Sequence, residues 1–159
     1  MGFFDSLFGK KPPLQPLGAT PSEQLLFSLQ ADIVNREVSC GYASLSSAER
    51  VFYCVWMLEA EVNNGGFEQF FGNTAGDIAE DVPAALRAIG AGHTAVLVEQ
   101  ANAVFGPAGP PADWDAREDL IAEFDDATRE RLDELDQAFY EYRDNLSELL
   151  TAYMKANAA

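Results

Sequence analysis

Apolar residues recur at spacings of three and four along nearly the whole chain, the pattern of helices that pack by one face. Leu25, Leu26, Leu29, Ile33 and Val34 make the first such face. Thr20-Pro21-Ser22-Glu23 stands ahead of it and reads as a capping box with proline at the first helical position. Ser46 and Glu49 make a second capping box. Residues 51–58 are apolar on every side, which predicts a buried central helix. Asn63-Asn64-Gly65-Gly66 predicts its end. Shorter helices are predicted over residues 67–71, 77–89 and 94–105. Another is predicted from Asp113, with Leu120, Ile121 and Phe124 on its core face. Leu132, Leu135, Phe139, Tyr142, Leu146, Leu149 and Tyr153 form an a/d seam over about three heptads and predict one long C-terminal helix. No segment alternates with a period of two between turn signals, so no sheet is expected.

The expected fold class is therefore all-α: a single compact multi-helix domain with a long acidic C-terminal helix and a short N-terminal appendage. Residues 1–21 read as an amphipathic start, carrying Phe3, Phe4, Leu7 and Phe8, followed by a proline-rich linker. Residues 22–157 read as the helical domain.

Composition fits one globular domain, with 159 residues of which 48% are hydrophobic. Charge is the unusual feature. Twenty-six acidic side chains face 10 basic ones, a net −16 with a pI near 4.1. Direct binding to a phosphate backbone is disfavoured, as is an anionic membrane surface; basic partners are favoured. Only residues 1–10 offer a segment for a membrane or groove, and Gly2 with Ser6 fits the loose acylation pattern M-G-x-x-x-[ST]. No cleavable signal is read at the start, and no apolar run is long enough to span a bilayer. Cys40 and Cys54 read as reduced core cysteines, so the expected location is cytoplasmic. His93 is the single histidine, and neither a metal nor a cofactor is expected.

No catalytic motif stands out, and the protein is expected not to be an enzyme. Gly90-Ala91-Gly92-His93-Thr94-Ala95 matches G-x-G-x-x-A but follows a helical segment rather than a strand, so Gly90 reads as a helix C-cap. His93 lacks an orienting partner in sequence and reads as solvated. Glu59 and Glu61, two apart on a helix, point to different sides and cannot share a site. Residues 61–73 are more distinctive, with four side-chain amides and three phenylalanines around two glycines. Two readings stand: amides that cap helix ends while the rings pack, or a polar pocket with an aromatic wall.

Charge is concentrated late in the chain. Residues 113–148 hold 14 acidic side chains against four arginines, a net −10, and the other 123 residues carry −6. Seven carboxylates lie between Glu130 and Glu148. On one helix that stretch measures roughly 27 Å, about one carboxylate per 4 Å, close to the roughly 3.4 Å spacing of charges along one DNA strand. Glu130, Asp133, Glu134, Glu141, Asp144 and Glu148 would then stand in for phosphates, with Asp125 and Asp126 extending the row. The plainer reading is a solvated face, with Arg129, Arg131 and Arg143 offering local pairs.

The run E-V-N-N-G-G-F-x-Q-F-F-x-N, with A-L-x-x-I-G-A and L-D-x-x-F-Y after it, resembles the DMP-type DNA-mimic protein family over about Ser22 to Asn157. The resemblance implies an acidic all-helical domain, often a homodimer. In the family's prototype the surface imitates duplex DNA and occupies a basic helix-turn-helix repressor. Asn63, Asn64, Gly65, Gly66, Phe67, Gln69, Phe70, Phe71 and Asn73 would mark the fold rather than the mimic surface. The expected function is thus a non-enzymatic binding protein that blocks a basic DNA-binding protein, a transcription factor or nucleoid-type protein. The alternatives are a small-ligand or enzymatic domain using residues 63–73, or an immunity-like inhibitor of another basic partner.

Overall fold

A computed structural model describes residues 20–158. The expected appendage and linker lie almost wholly outside these residues. Among the described residues there are seven α-helices and no strand: α1 (Pro21–Cys40), α2 (Ser47–Gly72), α3 (Val82–Ala88), α4 (Gly92–Asn102), α5 (Trp114–Ala122), α6 (Asp126–Tyr140) and α7 (Leu146–Ala156). Short 3-10 turns, Tyr42–Ser44, Thr74–Ile78 and Ala103–Phe105, join some of them.

Both capping boxes form as their sequences predict. Thr20 and Glu23 start α1, and Ser46 and Glu49 start α2. Helix α2 is the central element. Phe52, Val55, Met57, Leu58 and Val62 are essentially inaccessible, while Val51 and Trp56 stay half-buried. Trp56 stacks on Phe52 at 5.6 Å and takes the edge of Phe27 on α1. Around α2 pack α1, α3, α5, α6 and α7. Gly90 closes α3 as expected: at φ 88° it donates to Arg87, while the Ala91 amide reaches Leu86 at 2.8 Å, a Schellman ending. The glycines of the G-x-G-x-x-A match thus link two helices, without the strand a dinucleotide site requires.

Three expectations are corrected. The long acidic C-terminal helix is two helices: α6 stops at Tyr140, Tyr142 turns left-handed at φ 47°, and Asn145 caps α7 by accepting from the Glu148 amide. Of the seam residues, Leu132, Leu135, Phe139 and Leu146 are buried, Leu149 and Tyr153 are half-buried and Tyr142 in the bend is exposed; on α7 Leu150 is buried in place of Leu149. Leu120 is not a core residue; α5 turns Ile121 inward and leaves Leu120 exposed. Cys40 is exposed at the end of α1, and only Cys54 is in the core. There burial pushes the Cys54 thiol up to about 12, so it is unreactive at neutral pH. No described helix is long and apolar enough to cross a membrane.

Candidate partner-binding face and the motif beneath it

The amide- and glycine-rich motif is a break inside α2. Gly65 and Gly66 leave the helical conformation, and Gly66 sits at φ 76°, where a side chain is strained. A Cβ on Gly66 would also collide with the Asp136 carboxylate. Breaking the helix frees backbone groups, and α6 satisfies two of them. Asp136 accepts from the Phe67 amide at 2.7 Å, and the Tyr140 hydroxyl donates to the Val62 carbonyl at 2.8 Å. Tyr142, in the bend after α6, accepts from the Asn63 amide group at 2.5 Å and donates to Glu59 at 3.0 Å. Phe67 meets the edge of Phe139, and Glu68 pairs with Arg129. The break is therefore the seat of the acidic helix.

The rest of the motif closes on itself. Glu61, 2% exposed, accepts from Gln69 and Asn73, each at 2.8 Å. Phe67, Phe70 and Phe71 are fully buried, while the Asn63 and Asn64 amides are exposed, Asn63 being bonded to Tyr142. Glu59 and Glu61 do turn to different sides, one to Tyr142 and the other to the motif amides. Burial raises the Glu59 carboxyl above its ordinary range, with the Tyr142 bond pulling the other way. Burial likewise raises Asp136, against the bond from Phe67.

Sequence reasoning missed Arg117, which is completely buried. Its guanidinium donates to the carbonyls of Phe71 (2.6 Å), Asn73 (3.0 Å), Pro111 (2.7 Å) and Ala112 (3.2 Å), and to Asp77 (2.7 Å). It caps the end of α2 with a cation, as the helix dipole favours. The Trp114 indole adds a bond to the Gly72 carbonyl at 2.9 Å. The available signal was position: Arg117 lies four residues before buried Ile121, on the inward side of α5.

The expected partner-binding carboxylates fall into four groups. Asp126, Glu130, Asp133 and Glu134 are exposed on α6, opposite its buried side of Leu132, Leu135 and Phe139. Of these only Glu134 is ion-paired among the described residues, to Arg131. Asp125 is also exposed but caps α6 through the Thr128 amide, and bonds from Thr128 hold its carboxyl below the usual range. Glu141 and Glu148 are exposed beyond the row, one in the bend beside Arg143 and the other on α7. Asp144 is half-buried: it accepts from the Thr94 amide and hydroxyl at 2.8 and 2.9 Å. It thereby serves as the missing N-cap of α4.

Helix α5 contributes a stripe absent from the expected set: Asp115, Asp119 and Glu123, four residues apart and all exposed. His93 is not solvated as expected, since its Nε2 is buried without a hydrogen-bond partner among the described residues. No cluster of metal-ligating side chains occurs among those residues.

Comparison with curated proteins gives no match, and neither does comparison with solved structures. A family model described as DMP19-like protein matches residues 43–157, which include the α2 break, both acidic helices and their bend. The chain belongs to the DMP19-like protein family.

Proposed function

We propose that this protein is a non-enzymatic DNA mimic whose acidic α5–α6 surface occupies the DNA-binding site of a basic protein. The observation that carries the reading is the outward stripe of Asp126, Glu130 and Asp133, exposed and without ion pairs among the described residues, in a chain of a DNA-mimic-type family. Glu134 flanks that stripe, and Asp115, Asp119 and Glu123 supply a second run of charge on the preceding helix. Asp144 is left out of the face because it caps α4. Glu141 and Glu148 belong to its far edge.

Helix α6 has 15 residues, about 22 Å at about 1.5 Å each. Half-sites on DNA lie roughly 34 Å apart, so one chain matches one DNA-reading unit rather than a pair. A helix-turn-helix transcription factor or nucleoid-type protein has the required basic surface. The small-ligand reading of residues 63–73 has less support, because Asn63, Gln69 and Asn73 spend their amides on internal bonds.

The test is capture of partners from a native lysate at low and high salt, followed by competition with duplex DNA. Binding should be strong at low salt, fade as salt rises, and exclude DNA from the partner. Changing Glu130→Gln, Asp133→Asn and Glu134→Gln together should slow association at least tenfold while the fold stays intact. A partner that binds this variant equally well at low salt, or binds DNA and this protein at once, rules the reading out.

A further inference from the structure

We propose that the cleft between the end of α1 and the Thr74–Ile78 turn is a binding site for an organic cation, an ammonium or guanidinium head on a short aliphatic stem. The cleft has a volume of about 330 Å³, within the roughly 300–1,000 Å³ range of ligand sites. Its walls pair two kinds of group. Glu37 and Asp77 bring carboxylates from α1 and the turn, while Tyr42 and Tyr53 bring aromatic rings 5.8 Å apart between centroids. Val38 and Ile78 add an apolar lining suited to a methylene stem.

The two carboxylates are each partly engaged from within the fold. Asp77 gives one oxygen to Arg117 at 2.7 Å, yet its side chain remains 46% exposed. Glu37 takes the Tyr53 hydroxyl. Burial raises the Glu37 carboxyl; the Tyr53 bond lowers it, and the neighbouring Asp77 charge raises it further. A cation seated between the two would relieve that repulsion.

One of the two rings takes part in a cation–aromatic contact with a residue that does not line the cleft. The Arg50 guanidinium lies over the Tyr42 ring, 5.6 Å from its centroid. Carboxylates beside aromatic rings favour a cation over a neutral or anionic ligand, and the apolar Val38 and Ile78 favour an organic cation over a metal ion. None of the lining residues lies on α5 or α6, so the proposal does not rest on whether that face binds a DNA-binding protein.

Calorimetric titration of the whole chain at moderate salt tests this with two probes. Agmatine represents a free amine ligand, and N-acetyl-arginine-amide represents an arginine side chain of a protein. At least one should bind with a stoichiometry of one, and which of them does identifies the source. N-acetyl-citrulline-amide, the neutral isostere, should not bind. Glu37→Gln keeps a partner for Tyr53 and should weaken binding about tenfold. The Glu130→Gln, Asp133→Asn, Glu134→Gln variant should bind the probes as tightly as the unaltered protein. The proposal is overturned if neither probe binds, if citrulline amide binds equally, or if the α6 variant loses as much affinity as Glu37→Gln. That last result would mean general counterion attraction to an acidic protein.

Discussion

The break in α2 and the stripe on α6 are made from much the same chemistry, carboxylates and amides, and use it in opposite ways. At the break nearly every polar group is turned inward and answered: Glu61 by Gln69 and Asn73, the Phe67 amide by Asp136, the Val62 carbonyl by Tyr140. On the stripe Asp126, Glu130 and Asp133 face water with no ion pair among the described residues. Buried polar groups are costly unless bonded, so the first region is constrained by folding. Exposed carboxylates cost almost nothing to the fold and are free to serve a partner. The difference teaches where to look for each role. The recognisable motif seats the acidic helix, and the helix itself can vary outward.

Substitutions at the two regions should separate accordingly. The largest effect is expected from Arg117→Leu, which removes one cation from four backbone carbonyls and from Asp77. It should cost about 3–5 kcal/mol in denaturant unfolding. A loss below about 1 kcal/mol would show that water replaces the guanidinium and that the capping is not structural. Gly66→Ala comes next, at about 2–4 kcal/mol, because it strains a positive φ and drives Asp136 from its seat. Its near-UV spectrum should also report a disturbed Tyr140 and Tyr142 environment. An unchanged spectrum would separate the break from the seating of α6.

Glu59→Gln sharpens the comparison through pH. Glutamine resembles the protonated carboxyl, and burial raises Glu59 in the folded state above the unfolded value of about 4.3. The protonated group therefore contributes stability below the unfolded value, and that contribution is lost as pH rises through the folded value. The variant should gain on the unaltered protein as pH rises across that window. A stability difference independent of pH would show that Glu59 is not raised. The smallest change in stability, within about 0.5 kcal/mol, is expected for the α6 variant Glu130→Gln, Asp133→Asn, Glu134→Gln. A larger loss, measured by thermal unfolding, would mean that the stripe supports the fold and is not free for a partner.

What the sequence announced was local. The capping boxes at Thr20 and Ser46 need only residues three apart, and the two glycines declare the break in α2 by their own conformational range. The division of the last segment into α6 and α7 was harder to read, because no glycine or proline marks it and the seam spacing runs straight through. The bend is held by distant groups, Asn63 and Glu59 on Tyr142 and Thr94 on Asp144. One local sign was present: Asn145 with Glu148 three residues on is itself a helix start. Glu61 was legible too, since it falls on the apolar stripe with Leu58 and Val62. The candidate face was legible as an excess of charge. Which carboxylates are free was not, because Asp136 and Asp144 are drawn inward by partners 69 and 50 residues away in sequence.

Arg117 also decides where the chain will accept foreign sequence. The loop before α5 looks uniform, Gly106-Pro107-Ala108-Gly109-Pro110-Pro111-Ala112, but its two ends differ. Pro111 and Ala112 lend their carbonyls to the buried guanidinium, Pro110 is buried, and a Cβ on Gly109 would strike Glu80. Pro107 and Ala108 are exposed. A reporter tag or fluorophore-bearing peptide spliced between Pro107 and Ala108 leaves the α2–α5 clasp closed, since lengthening an exposed loop costs only slowly growing closure entropy. The same peptide spliced between Pro111 and Ala112 pulls two acceptors off Arg117 and opens the clasp from its loop side.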